Sequence, residues 1–91
     1  MARLAQLRMD SIAHAISDPR RFDILKKIAN CKEISCSSLR ECQPITAATM
    51  SHHLKELEQA GLIRISRQGK FASLEFQRET WDAYLANLSK I

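Results

Sequence analysis

The sequence predicts a small, mainly α-helical domain with one β-hairpin. The chain has 91 residues, of which 45% are hydrophobic and 26% charged, an ordinary globular balance. It contains only 2 glycines and 2 prolines, so helices should dominate over long loops. Apolar residues recur at helical spacing along most of the chain and alternate with polar ones only over residues 62–76. With no linker or repeat visible, we expect one domain over residues 1–91.

Two helices are predicted in the first third of the chain. Over residues 3–16 one broad apolar stripe consists of Leu4, Leu7, Ile12, Ala15 and Ile16. In the following segment Asp18 suits an N-cap and Pro19 the first helical position, where a missing N–H costs nothing. This second helix is apolar on two sides, which indicates a central place in the domain.

A short third helix is predicted in "SCSSLREC", and Pro44 ends it. The fourth helix has a well-marked start, because Thr46 is a good N-cap and Ile45 can pack against Met50 as a hydrophobic staple. Gly61 supplies a left-handed stop. Two short helices joined by a tight turn form a helix-turn-helix.

The last third of the chain predicts a hairpin and a closing helix. Apolar and polar residues alternate on either side of Gln68 and Gly69, which indicates two strands with a short basic tip. The final segment carries an amphipathic stripe of Trp81, Tyr84, Leu85, Leu88 and Ile91. The whole order is that of a winged helix-turn-helix with helical extensions at both ends.

The charge balance favours a polyanionic partner. Lys and Arg total 14 against 10 Asp and Glu, which gives a net charge of +4 and a pI near 9.3. No apolar run approaches the ~20 residues of a membrane span, and the first residues do not resemble a signal peptide. The 3 cysteines are unevenly spaced, which argues against a secreted disulfide framework. We therefore expect a cytoplasmic protein without membrane contact.

Two adjacent histidines in the fourth helix raise the question of function. Neighbours on a helix point about 100° apart, so His52 and His53 cannot easily close on one metal ion. A catalytic role would need an organised carboxylate and a pocket, which the sequence does not supply. His52 lies opposite the Met50–Leu57 core stripe, whereas His53 lies on its flank. The alternatives are a solvated face with a satisfied flank histidine, or a helix that reads the major groove of DNA.

The cap, the turn and the basic hairpin favour DNA reading. In this interpretation a recognition helix over about residues 47–60 enters the major groove with its N-terminal end toward the bases. Lys55 would hold the backbone from the same helix. The candidates for base or near-base contacts are Ala47, Ala48, Ser51 and His52, and those for phosphates are Thr46 and Thr49.

The basic hairpin has two interpretations. Arg64, Arg67 and Lys70 could form an ordinary solvated edge, since lysine commonly protects edge strands. Beside a recognition helix they also fit a wing that grips phosphates or enters a minor groove, which is the interpretation we favour. Gln68 at the tip could bond to the backbone or to a base edge.

Three segments resemble the ArsR/SmtB family of bacterial winged-helix repressors. These segments are "ISDPRRFDILKKI", "TMSHHLKELEQAGLI" and "RQGKFASLEF", and the similarity covers roughly residues 10–77. The resemblance implies a homodimer that binds an inverted-repeat operator and is assembled through the first and last helices. Many members release DNA when a metal ion, arsenite or an oxidant reaches the dimer. The predicted dimer contacts are Leu4, Leu7, Trp81, Tyr84, Leu85 and Leu88.

The familiar metal sites of that family are missing or incomplete here. Ser35 and Ser37 stand where arsenic- and cadmium-type members carry a Cys-x-Cys pair. The last helix offers Glu79 and Asp82 but no histidine for a zinc-type site. We therefore expect no bound metal or cofactor.

The cysteines and the remaining histidine receive structural interpretations first. Cys31, Cys36 and Cys42 match no strong metal motif, and they could pack as small hydrophobes or act as a redox or soft-metal sensor. Packing is the favoured alternative, and His14 is interpreted as structural.

The sequence thus predicts a dimeric, sequence-specific DNA-binding regulator, a repressor rather than an enzyme. Two other classes stay open, a winged-helix module that binds protein and a thiol-based switch. An effector or a regulatory protein that masks the DNA face is also compatible with the sequence.

Overall fold

The structure, a computed structural model, describes residues 8–42 and 45–91 and confirms the predicted order of elements. Two predicted dimer contacts, Leu4 and Leu7, lie outside these ranges, and so does Pro44, which was predicted to end the third helix. A three-stranded sheet accompanies the helices. The elements are α1 (Met9–Ile16), α2 (Pro19–Ala29), β1 (Ile34–Ser35), α3 (Cys36–Cys42), α4 (Ala47–Gln59), β2 (Ile63–Gln68), β3 (Phe71–Phe76) and α5 (Arg78–Leu88).

Three helix ends, at Asp18, Thr46 and Gly61, form as the sequence predicts. The Asp18 carboxylate accepts the backbone N–H groups of Arg20 and Arg21, at 2.8 and 3.2 Å. The Thr46 hydroxyl caps α4 by accepting the N–H of Thr49 at 3.1 Å. Gly61 ends the helix with φ +80°. Around it the N–H of residue 62 bonds to the carbonyl of residue 57, and that of residue 61 to the carbonyl of residue 58, which is a Schellman motif.

The sheet is larger than the predicted hairpin. β3 lies in the centre and pairs antiparallel with both β2 and β1, and the β1 register sets Ile34 opposite Leu74. The two-residue loop between β2 and β3 consists of Gly69 and Lys70, and Gly69 has φ +60°, as the first central residue of a type II′ turn requires. Gln68, which the sequence places at the tip, is the last residue of β2 and pairs with Phe71, so it closes this loop.

One hydrophobic core joins the helices to the sheet, and α2 lies at its centre as predicted. Ile24 and Ile28 on one side of α2 are fully buried, and Phe22 on the other side packs against the core. The apolar stripe predicted for α4 is buried in this core. The opposite face of the helix therefore points outward. The fully buried large side chains are Ile12, Ile24, Ile28, Leu39, Met50, Leu57, Leu62 and Leu74.

The closing helix α5 ends earlier than the predicted stripe. It stops at Leu88, and Ile91 beyond it is 99% exposed. Tyr84 is buried within its own chain and Trp81 is half-buried, whereas Leu85 and Leu88 are 45% and 40% exposed. The helix thus leaves an apolar edge uncovered. Within residues 8–42 and 45–91, no helix is long and apolar enough to cross a membrane.

Candidate nucleic-acid interface

The outward face of α4 carries the small and polar side chains that the sequence predicted. Ala47, Ala48, Ser51, His52 and Lys55 are exposed. They project from a helix whose other face is held by the core, so their positions are fixed by packing rather than by loop conformation. Alanines at the N-terminal end allow a close approach of the backbone, and the polar side chains behind them can donate and accept hydrogen bonds.

The N-terminal threonines of α4 have different roles. The Thr46 hydroxyl accepts the backbone N–H of Thr49 and donates to the Thr49 hydroxyl oxygen at 3.0 Å. Thr46 is therefore engaged in capping. The half-buried Thr49 accepts that hydrogen bond and keeps its own hydroxyl hydrogen for a further acceptor, because no acceptor for it stands among the described residues. Of the two, Thr49 is better placed to donate to a phosphate.

His53 anchors the helix that His52 leaves exposed. Its side chain is 6% exposed, and its Nδ1 accepts from Nε of Arg21 at 3.4 Å. Arg21 is equally buried and also donates to the carbonyls of His14 and Ala15 at the end of α1. One guanidinium thus links α1, α2 and α4. The sequence indicated a flank histidine but not this arginine partner.

Burial sets the protonation state of His53. Desolvation lowers the pKa of its imidazole, and the positive charge of Arg21 lowers this pKa further. A neutral imidazole has an acceptor nitrogen, which the hydrogen bond from Arg21 requires. His52 and His53 are adjacent in sequence, yet one faces solvent and the other is a buried structural acceptor.

Cations from three elements meet beside the outward face of α4. Arg67 and Lys70 of the hairpin line a cleft of about 230 Å³ together with Arg40 of α3. An adjoining cleft of about 370 Å³ separates the hairpin from α4, and Lys55 and Arg67 are among its lining residues. The second cleft also contains one acid, Glu58. Four positive side chains therefore converge on one side of the molecule.

Arg64 does not belong to this group. Alternation along β2 places Arg64 on the opposite face of the sheet from Arg67. Its guanidinium pairs with the Glu75 carboxylate across the strands at 2.6 Å. Of the three cations assigned to the hairpin, the structure brings together only Arg67 and Lys70.

Arg40 is a candidate that sequence reasoning missed. It lies on the first helix of the helix-turn-helix, is exposed, and faces the hairpin cations across the smaller cleft. Its position in "SSLREC", next to buried Leu39, signals an outward-facing cation. Arg40 lies close to the hairpin because of tertiary packing, which no local sequence pattern indicates.

The cysteines do not form a cluster among the described residues. Cys36 is half-buried, packs against the core and lines both clefts, whereas Cys31 is exposed. The packing interpretation therefore holds for Cys36 and is wrong for Cys31, and the side chain of Cys42 lies outside the described part. Across residues 8–42 and 45–91, no three His, Cys, Asp or Glu side chains are grouped so that they could hold a metal ion.

A helix-turn-helix followed by a paired hairpin, with cations on the face that both share, defines a winged-helix DNA-binding protein. Comparison with known proteins agrees. A family model described as a helix-turn-helix domain matches residues 16–66. The chain belongs to the ArsR family of helix-turn-helix transcriptional regulators.

Three relatives illustrate the similarity. An uncharacterised helix-turn-helix-type transcriptional regulator of Bacillus subtilis, YceK, is 31% identical over 75 residues, 81% of this chain and 75% of the relative. The arsenical resistance operon repressor of Staphylococcus xylosus is 29% identical over 83 residues, 91% and 79% of the two chains. The structure of the ArsR family regulator RHA00566 superimposes with a TM-score of 0.80 at 25% identity, covering 89% of this chain and 82% of the other.

Proposed function

We propose that the protein is a homodimeric repressor that binds an inverted-repeat operator in double-stranded DNA. The observation that carries the proposal is the shared orientation of the outward face of α4 and the cations of α3 and the hairpin. In this proposal α4 enters the major groove, with His52, Ser51 and the alanines toward the bases. Lys55, Arg67, Lys70 and Arg40 contact phosphates, and Thr49 does so at the helix start.

The homodimer is proposed on the exposed apolar edge of α5. Leu85 and Leu88 are partly exposed beside half-buried Trp81, and a single chain leaves them uncovered. A second copy related by a twofold axis would cover this edge and place two recognition helices about one helical turn of DNA apart. We further propose that the protein acts in the cytoplasm, where its operator lies.

The proposal is tested by fluorescence anisotropy. The purified full chain is titrated against the labelled duplex upstream of its own gene, and against a scrambled duplex of equal length, at several salt concentrations. Tight binding to the first duplex with a steep salt slope supports the proposal. Equal and weak binding to both, with selection from a random duplex library yielding no preferred sequence, would overturn it.

His52→Ala is expected to reduce the free energy of specific binding by about 1–3 kcal/mol, because a base contact in the major groove is worth that much. The matched control is Gln59→Ala, an exposed position near the other end of the same helix. It is expected to bind as the wild type does. Anisotropy titrations of all three proteins check this, and unchanged affinity and sequence preference in His52→Ala would refute the base contact.

Lys70→Ala is expected to weaken binding to every duplex alike and to reduce the salt slope by about one, since one phosphate contact is lost. Arg64→Ala serves as the matched control on the same hairpin. Its charge is paired with Glu75 on the opposite face of the sheet, so its salt slope should stay at the wild-type value. Equal slopes for Lys70→Ala and the wild type would contradict the phosphate contact.

Leu88→Glu is expected to dissociate the dimer, because it places two like charges in an apolar symmetric contact. The dimer Kd should rise by at least about 10-fold, since burial of a leucine contributes about 1.5–3 kcal/mol. Ala86→Glu adds the same charge at an exposed position of α5 and should remain a dimer. Light scattering at micromolar concentration measures the mass, and a stable Leu88→Glu dimer would refute the interface.

A further inference from the structure

Phe71 is an aromatic residue that lies outside the hydrophobic core. It lies at the start of β3 and is 73% exposed. Among the large apolar side chains of the described residues, only that of Ile91, beyond the last helix, is more exposed. The others that are exposed, Leu85, Leu88 and Ile91, lie on or after α5. Since the ring buries little against its own chain, the core does not account for its presence at this position.

The position of Phe71 is fixed by the hairpin tip. It pairs with Gln68 and directly follows the Gly69–Lys70 loop, so the ring projects where the hairpin ends. The cleft beside it is lined by Arg40, Arg67 and Lys70 and contains no acidic residue. Phe71 is itself among the residues that line this cleft, so an exposed aromatic residue adjoins a group of three cations.

These surroundings favour duplex DNA as the partner over a protein. A stable protein interface buries about 1,200–2,000 Å², whereas one phenylalanine contributes about 150–250 Å². Duplex DNA offers phosphates for the cations and, between stacked base pairs, apolar base faces that a single ring entering from the minor groove can reach. Phenylalanine is among the residues that minor-groove proteins insert between base pairs.

We propose that Phe71 is a wedge that enters the minor groove beside each half-site and partly unstacks one base step. The inference rests on the proposed function, in which Lys70 and Arg67 hold phosphates next to that step. Pyrimidine–purine steps such as TA unstack easily, whereas A-tracts are stiff. Phe71 then confers a preference for deformable flanking sequence, a specificity that no hydrogen bond to a base provides.

The test uses the full chain and the duplex that it binds best in the anisotropy assay. One step at a time beside each half-site is changed to TA or placed within an A-tract, and donor and acceptor dyes on the duplex ends report bending. The wild type is expected to bind the best TA variant about 10-fold more tightly than its A-tract counterpart and to bend it. Phe71→Ala should reduce this preference to within about twofold and lower the bend, with an unchanged salt slope. Phe71→Leu, which keeps an apolar wedge, should retain much of both.

The outcomes separate the two proposals. If the wild type binds no duplex specifically, the proposed function is overturned and the wedge with it. If the wild type binds but Phe71→Ala keeps the same flank preference and bend, only the wedge is overturned. A Phe71→Ala variant that weakens all duplexes equally also overturns the wedge, because the ring would then only position the backbone. Circular dichroism checks that both variants fold, as an exposed position predicts.

Discussion

Leu57→Ala is expected to lower the free energy of unfolding by about 2–5 kcal/mol. Leu57 is fully buried on the inner face of α4, where the helix packs against the core. The loss combines the transfer free energy of the removed methyl groups with the cost of the cavity left behind. Because small domains are stable by only about 5–15 kcal/mol, this change removes a large part of the total. Urea titration followed by circular dichroism measures it.

The matched control is Gln59→Ala, two residues along the same helix on the exposed side. It should change the free energy of unfolding by less than about 0.5 kcal/mol. The Leu57→Ala variant should also keep the DNA preference of the wild type, measured at a temperature where the variant is folded. Leu57 points into the core and does not face the DNA. If Leu57→Ala lowered the free energy of unfolding by less than about 1 kcal/mol, α4 would be less tightly packed than the structure indicates.

The helices and their ends could be predicted because their signals are local. Asp18 before a proline and Thr46 before an apolar repeat specify caps within three or four residues of sequence. Gly61 ends α4 because glycine adopts positive φ without strain. Local chemistry and tertiary packing agree at these positions, so local sequence signals were sufficient there.

The features that sequence reasoning missed depend on distant parts of the chain. β1 is a two-residue strand that exists because Ile34 and Ser35 pair with β3 about 40 residues later, as its register shows. The hydrogen bond between Arg21 and His53 joins residues 32 positions apart. Neither has a local pattern, so no window of sequence could have revealed it.

The outward placement of the candidate residues was predicted correctly on the helix and less well on the hairpin. Helical periodicity separates the outer face from the inner one, so exposed His52 and buried His53 could be distinguished. On the hairpin, Arg64 was grouped with Arg67 by charge, although an odd spacing in a strand places them on opposite faces. Strand alternation applied to the cations would have excluded Arg64 from the sequence alone.

Acid should destabilise the protein through His53. The pKa of this imidazole is lowered below its ordinary 6.5 in the folded state, first by burial and then by the charge of Arg21. Between the folded pKa and about 6.5 the unfolded chain therefore binds more protons than the folded one. The contribution of neutral His53 to the free energy of unfolding is therefore complete above about pH 7 and decreases as the pH falls toward the folded pKa. The slope contributed by His53 is at most about 1.4 kcal/mol per pH unit.

Urea titrations at pH values from 8 to about 4.5 measure this decrease, and two variants assign it. His53→Gln keeps an acceptor for the Arg21 N–H but has no proton to bind, so the part of the decrease that His53 causes should disappear. His52→Ala removes the neighbouring exposed imidazole and should leave that part in place. Asp18 does not interfere with this measurement, because the backbone N–H of Arg21 lowers the pKa of its carboxyl in the folded state, so its stabilising contribution is lost mainly as the pH falls from about 3.8 toward the folded pKa, below the titrated range. A His53→Gln profile with the wild-type slope would contradict the buried neutral histidine, since the acid sensitivity would then arise from another group.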